Sequence, residues 1–161
     1  MKSEIAIIGC GRIGSVHARA ITETLPMVDL VLADVEPSRA IDLAKRVGAH
    51  AVDIPDIWDR PNLRAVAICS STTTHVDYIC AAAEAGVAVF CEKPVSLDLD
   101  EVDRAVRAVT DSDIPFMVGF HKRFDPTHQA TKQAVVDGRV GDVHLLRITT
   151  RDPQPPPLDY I

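Results

Sequence analysis

The stretch Ile7-Ile8-Gly9-Cys10-Gly11-Arg12-Ile13-Gly14 decides how the rest of the chain is read. The compact apolar run 4–9 is a buried strand, and 12–24 reads as a helix with Ile13, Val16, Ala20 and Ile21 spaced for one face. A Gly-x-Gly-x-x-Gly pattern alone is a weak signal. Here it leaves a strand, opens a helix and precedes Asp34, 20 residues after Gly14, at the end of a second strand at 30–34. In that setting Gly9 permits a tight turn, Gly11 leaves room for a pyrophosphate and Gly14 lets helix and strand approach. Phosphates would meet the free backbone N–H groups and positive helix end offered by Gly11, Arg12, Ile13 and Gly14. A carboxylate at Asp34 accepts both hydroxyls of an adenosine ribose and repels a 2′-phosphate, so NAD is expected over NADP. Arg39 lies close by in sequence and could pair with such a phosphate; a solvated charge on a first helical turn is the preferred reading.

Strand and helix patterns continue to alternate. A helix is expected over 37–47, with Pro37 in its first turn and Gly48 at its end, then a weak strand near 49–52. A strand at 65–69 leads to a helix over 75–85, capped by Thr74 and stopped by Gly86. A strand at 87–91 follows, then a helix capped by Ser96 and carrying Leu99, Val102, Val106 and Val109. The last strand of the series is 116–119, and Asp125-Pro126 opens a helix closed by Gly138. Such alternation implies right-handed crossovers and a parallel sheet covered on both faces, a doubly wound α/β fold of Rossmann type with strand order 3-2-1-4-5-6. Residues 1–120 are read as the dinucleotide-binding domain, and 121–161 as a connecting helix and the start of a second domain. The branched run 143–150 reads as the first strand of that α+β domain, which a lone strand cannot complete, so the chain is expected to be the front of a longer protein. The proline tract 153–157 reads as polyproline-type.

Three further motifs fall at strand ends facing the same crevice. Ser70-Ser71-Thr72-Thr73-Thr74-His75 offers hydroxyls and a helix start where the strand order reverses, making Ser71 and Thr72 cofactor candidates. His75 either touches the cofactor or helps cap the helix. Glu92-Lys93-Pro94 follows an apolar strand. A Lys beside an oxidised nicotinamide ring has a positive neighbour and partial desolvation, which suit it to proton relay, and the proline stiffens its turn. Glu92 either holds that lysine or serves structure alone. His121-Lys122-Arg123 forms a basic cluster after the sixth strand, and Lys122 or Arg123 could contact substrate hydroxyls. The spacing Asp125-x-x-His128 reads as helix surface, and no metal constellation is found.

Composition narrows the classes. The 161 residues are 47% apolar and 25% charged, with a net charge of −6 and no long basic run, which disfavours nucleic acid and anionic membrane as partners. No apolar stretch approaches the ~20 residues that cross a bilayer. No signal peptide is read at the N-terminus. Cys10, Cys69, Cys80 and Cys91 show no Cys-x-x-Cys spacing and read as reduced thiols of a cytosolic protein.

Taken in order along nearly the whole chain, GCGRIGSVHAR, ADVEPSRA, CSSTTTHVDYI, FCEKPVSLD, VGFHKRFDP and GRVGDVHLLRITTRDPQPPPLDYI resemble the Gfo/Idh/MocA oxidoreductases. The resemblance implies NAD-dependent hydride transfer from a ring polyol, of the inositol 2-dehydrogenase type, converting myo-inositol to 2-keto-myo-inositol. It implies that Lys93 is the active-site lysine, that Glu92 and Lys93 also border the cofactor, and that the Lys93–Pro94 bond is cis. Arg123 and Tyr160 would bind substrate. His121 stands where the resemblance leads one to expect asparagine, which loosens the substrate assignment. An Asp-x-x-x-His pair, whose histidine would accept the proton, is expected of the family beyond the proline tract and does not occur in this chain. Two alternatives stand beside the dehydrogenase reading: a non-catalytic NAD-binding module, and a sugar dehydrogenase of the same family. A homo-oligomer is expected of a full-length form.

Overall fold

The computed structural model describes residues 2–151; the proline tract 153–157 and Tyr160 lie outside them. Two compact units are present, Met1–Phe120 and His121–Ile161.

The first unit runs β1 (Glu4–Ile8), α1 (Arg12–Thr24), β2 (Asp29–Ala33), α2 (Pro37–Val47), β3 (His50–Ala51), a 3₁₀ turn at Pro55–Ile57, β4 (Leu63–Ile68), α3 (Thr72–Glu84), β5 (Ala88–Cys91), α4 (Leu99–Asp111) and β6 (Phe116–Val118). All six strands form one parallel sheet in the order β3-β2-β1-β4-β5-β6. This is the expected doubly wound α/β fold. The order reverses between β1 and β4, where Ile8 stands level with Ile68.

Alternation along the strands sorts two cores. Ala6, Ile8, Val31, Ala33, Val66 and Ile68 face α3 and α4, meeting Val76, Ile79, Ala105 and Val109. Ile7, Leu30, Leu32 and Ala67 face the other way, toward Ala18 of α1 and Ala40, Leu43 and Ala44 of α2. With both faces buried, the strands carry continuous apolar runs. Truncating Ile68, which is wholly buried, to alanine would cost about 2–5 kcal/mol.

Several local expectations are corrected. On α1 the buried residues are Gly14 and Ala18, while Ile13 and Val16 are exposed. The helix lies so close to the glycine turn that a Cβ at Gly14 would overlap the Gly9 carbonyl, so small residues form its inner face. On α4 Leu99 and Val106 point outward and Ala105 and Val109 inward. Its cap is Asp98, whose side chain accepts from the Asp100 N–H at 2.8 Å; Ser96 instead accepts from the Asp98 N–H. Helix α3 starts at Thr72 with Ser71 at its N-cap, and Thr74 lies inside the first turn, donating back to the Ser71 carbonyl at 2.8 Å.

The second unit holds a 3₁₀ turn (His121–Phe124) and α5 (Pro126–Val136). Asp125 caps α5, accepting from the His128 N–H at 3.0 Å and lying 2.9 Å from its ring; these bonds hold its carboxyl below the ordinary range. Gly138, at φ 68°, follows the helix. Residues 143–150 form no strand and are exposed. Branched side chains favour a pleated ladder only where a neighbouring strand supplies one, and none among the described residues does. Among the described residues no helix is long and apolar enough to cross a membrane.

Candidate active site

The carboxyl ends of β1, β2 and β4 open on a cleft of about 320 Å³. Gly9, Gly11, Asp34 and Ser71, four of the residues expected from the sequence, line it together. The glycines have different reasons to be there. Gly9 sits at φ 98°, and a Cβ on it would come within 2.5 Å of the Ser70 nitrogen. Gly9 and Gly14 are thus demanded by the protein's own packing. Gly11 is not: its φ is −72°, and an added Cβ would meet nothing within 4 Å. The space in front of Gly11 is what a ligand approaching the backbone requires.

That space lies at the N-terminus of α1, which has no side-chain cap and no acid in its first turn. Helix α3, entering the same cleft beside Ser71, is also without a side-chain cap or a first-turn acid. Free N–H groups and the positive helix end favour an anion there. Arg12, Ile13 and Thr72 lie on these first turns, Arg12 and Ile13 exposed.

Asp34 also holds the backbone around it, which its position in the sequence did not reveal. It is buried, 8% exposed; Oδ2 accepts from the Cys10 N–H at 2.6 Å and Oδ1 from the Glu36 N–H at 2.9 Å. The carboxylate fixes the glycine turn while its remaining lone pairs stay available to donors. Arg39 lines the same cleft, is exposed and pairs with Glu36 at 3.1 Å, as a solvated first-turn charge would. Ile54, Cys69 and Tyr78 also line the cleft and were not anticipated. Burial, then Asp77 and Asp34, push the Tyr78 hydroxyl up.

The neighbouring strand end carries Glu92, Lys93 and Pro94, with the Lys93–Pro94 bond cis. Lys93 is exposed, and its ammonium has no hydrogen bond or ion pair among the described residues. Glu92 makes no contact with that ammonium. Its Oε1 lies 2.8 Å from Nε2 of His17 on α1, and its Oε2 accepts from the Lys93 backbone N–H at 3.2 Å. His75 is 1% exposed, with Nδ1 2.8 Å from the Pro94 carbonyl and Nε2 3.1 Å from the Ser70 carbonyl. Its ring nitrogens face these two carbonyls, of which one N–H can serve one, and His75 is not among the residues lining the cleft. Arg123 belongs to the second unit, exposed on its 3₁₀ turn.

All four cysteines are free. Burial first, then nearby carboxylates or thiols, pushes Cys10, Cys69 and Cys91 up to about 12. Among the described residues no group of three or more His, Cys, Asp or Glu is placed to hold a metal.

Known proteins resemble the chain in sequence and fold. Residues 3–120 match the family described as "Oxidoreductase family, NAD-binding Rossmann fold", Gfo/Idh/MocA. The chain is 42% identical to the myo-inositol 2-dehydrogenase of Thermotoga maritima, over 98% of this chain and 48% of that protein. It is 41% identical to the inositol 2-dehydrogenase of Rhizobium meliloti, over 100% of this chain and 49% of that one. A crystal structure of scyllo-inositol dehydrogenase from Lactobacillus casei with bound NAD(H) and scyllo-inositol superposes with a TM-score of 0.81 at 30% identity, over 88% of this chain and 43% of that chain. The chain thus spans about half the length of the curated relatives it matches. With its glycine turn, Asp34 beside it and its Glu-Lys-Pro strand end, this chain belongs to the Gfo/Idh/MocA oxidoreductases, and residues 3–120 match that family's NAD-binding Rossmann fold.

Proposed function

We propose that the chain is the cofactor-binding half of an NAD-dependent polyol dehydrogenase acting on myo-inositol. The observation that carries this reading is an empty-fronted Gly11 after β1 and an unpartnered Lys93 ammonium after β5, at the same rim of one sheet with β4 between them. The amides around Gly11 would hold the pyrophosphate, with Asp34 accepting the adenosine ribose hydroxyls. Bound NAD supplies the hydride acceptor. Lys93 would donate a hydrogen bond to the reacting hydroxyl and stabilise the negative charge that develops on its oxygen as the proton leaves. In this reading Arg123 contacts a further substrate hydroxyl. The same role is proposed for Tyr160, a full-length form is homo-oligomeric, and the free thiols support a reducing, cytosolic setting.

The relatives named above act on inositols, which favours an inositol over a sugar as substrate. Residues 1–161 contain no Asp-x-x-x-His, so we propose NAD binding with negligible turnover by these residues alone. NADH formation from myo-inositol tests both parts. The 161-residue chain should bind NAD and form no NADH above background, whereas a full-length form should turn over and lose at least about 100-fold in kcat on Lys93→Ala with NAD affinity retained. Rapid oxidation by the 161 residues would overturn the division of labour, and unchanged turnover in Lys93→Ala would remove Lys93 from the chemistry.

A further inference from the structure

Lys93 sits between two residues that are each held by a histidine from a different helix. On its amino side stands Glu92, 2.8 Å from His17 of α1. The His17 ring also packs edge-on against Phe90 at 5.0 Å and 66°. The second Glu92 oxygen accepts from the Lys93 N–H at 3.2 Å. Space confines this carboxylate: a Cβ at Gly119 would lie 3.2 Å from its Cδ and 3.0 Å from the Phe90 ring. On the carboxyl side stands Pro94, whose carbonyl is 2.8 Å from Nδ1 of His75 on α3. The other nitrogen of that ring is 3.1 Å from the Ser70 carbonyl, and Ser70 lines the cofactor cleft.

Simple core filling does not account for His75. A residue wanted only for volume, at 1% exposure, would be apolar, since burying an imidazole requires partners for its polar atoms. The partners found are two backbone carbonyls on the two loops that border Lys93 and the cofactor. An imidazole with one N–H donates to one of them, and we assign that donor to the shorter contact, with Pro94.

Resting on the reading of Lys93 above, we propose that His17 and His75 are positioning residues: they fix the backbone on either side of Lys93 and so aim its ammonium at the nicotinamide end of the cleft. Neither ring touches the substrate in this scheme. Both sit on helices whose open N-termini face the cofactor, so the two helices that bind the dinucleotide also set the lysine.

The test is acylation of Lys93 by an amine-reactive ester, followed by mass spectrometry, on the 161-residue chain with and without saturating NAD. NAD should protect Lys93 in the wild type. His75→Asn, which keeps a donor at the Nδ1 position, should retain that protection. His75→Gln, which places its donor nearer the Nε2 position, should lose it by about fivefold, the equivalent of one hydrogen bond. At the part-exposed His17, His17→Gln should retain protection and His17→Ala should lose it to a similar degree. A structural role alone would lower the melting temperature of the Asn and Gln variants without separating them in Lys93 protection. Equal protection in all variants with NAD bound would overturn the positioning proposal while leaving Lys93 at the cofactor. Bound NAD that fails to protect Lys93 in the wild type would overturn the reading of Lys93 itself, and positioning with it.

Discussion

At its amino-terminal rim the sheet pairs Glu4 with Arg60, whereas at its carboxyl-terminal rim helix N-termini and the Lys93 ammonium stay open. Glu4 at the start of β1 accepts two hydrogen bonds from Arg60, at 2.7 and 2.8 Å, and the Asp29 N–H donates to the Ser3 carbonyl. The Glu4 bond raises the hold of Arg60 on its proton. At the other end, α1 and α3 begin without side-chain caps, Gly11 faces empty space, and the Lys93 ammonium has no partner among the described residues. Away from the cleft the same chain caps its helices with Asp98 and Asp125. A side-chain cap stabilises by about 1 kcal/mol. It is missing at all three helix starts beside the cleft, α1, α2 and α3, α2 having a proline in its first turn, which leaves backbone N–H groups there that an anion could meet.

The largest test of this contrast is alkaline. Cys10, Cys69 and Cys91 lie at the carboxyl-terminal ends of β1, β4 and β5, with folded values of about 12 against an ordinary 9.0. The unfolded chain releases these protons first. The stability they contribute is therefore complete below about pH 9 and declines as pH rises toward 12. Urea midpoints at pH 8 and 10.5 should fall steeply for the wild type and less for a variant with all three thiols changed to alanine; parallel slopes would contradict the burial of these thiols. Next comes Gly14→Val, whose side chain would drive into the Gly9 carbonyl; a loss of at least about 3 kcal/mol in urea unfolding is expected. Smallest is the closed rim. Arg60→Ala should cost about 1 kcal/mol of stability and leave NAD affinity unchanged, read by urea unfolding and calorimetry.

Much of the fold was legible because each parallel strand, buried on both faces, appears as an unbroken apolar run between a glycine and a helix. The strand order followed from that alternation, and the site from the glycine pattern with Asp34. The inner face of α1 was misjudged because Gly14 and Ala18, carrying little hydrophobicity, face the sheet, while Ile13 and Val16 do not. Five successive hydroxyl residues before His75 concealed which one caps α3. The run 143–150 has the side chains of a strand without a neighbour to pair with. Neither histidine's contact could be read from spacing: His17 meets Glu92 across 75 residues, and His75 meets Pro94 across 19.

The direct measurement is calorimetric titration of NAD into the wild-type chain and Gly11→Asp, paired with thermal melts of each. Aspartate suits an N-cap at this extended backbone position and faces open space, so the variant should melt at the wild-type temperature or above it. Its carboxylate would occupy the place and oppose the charge of the pyrophosphate, so NAD affinity should fall by at least about 100-fold, roughly 2.7 kcal/mol. Equal NAD affinity in the two proteins, or no saturable binding to the wild type, would contradict a dinucleotide seated against the Gly11 amides.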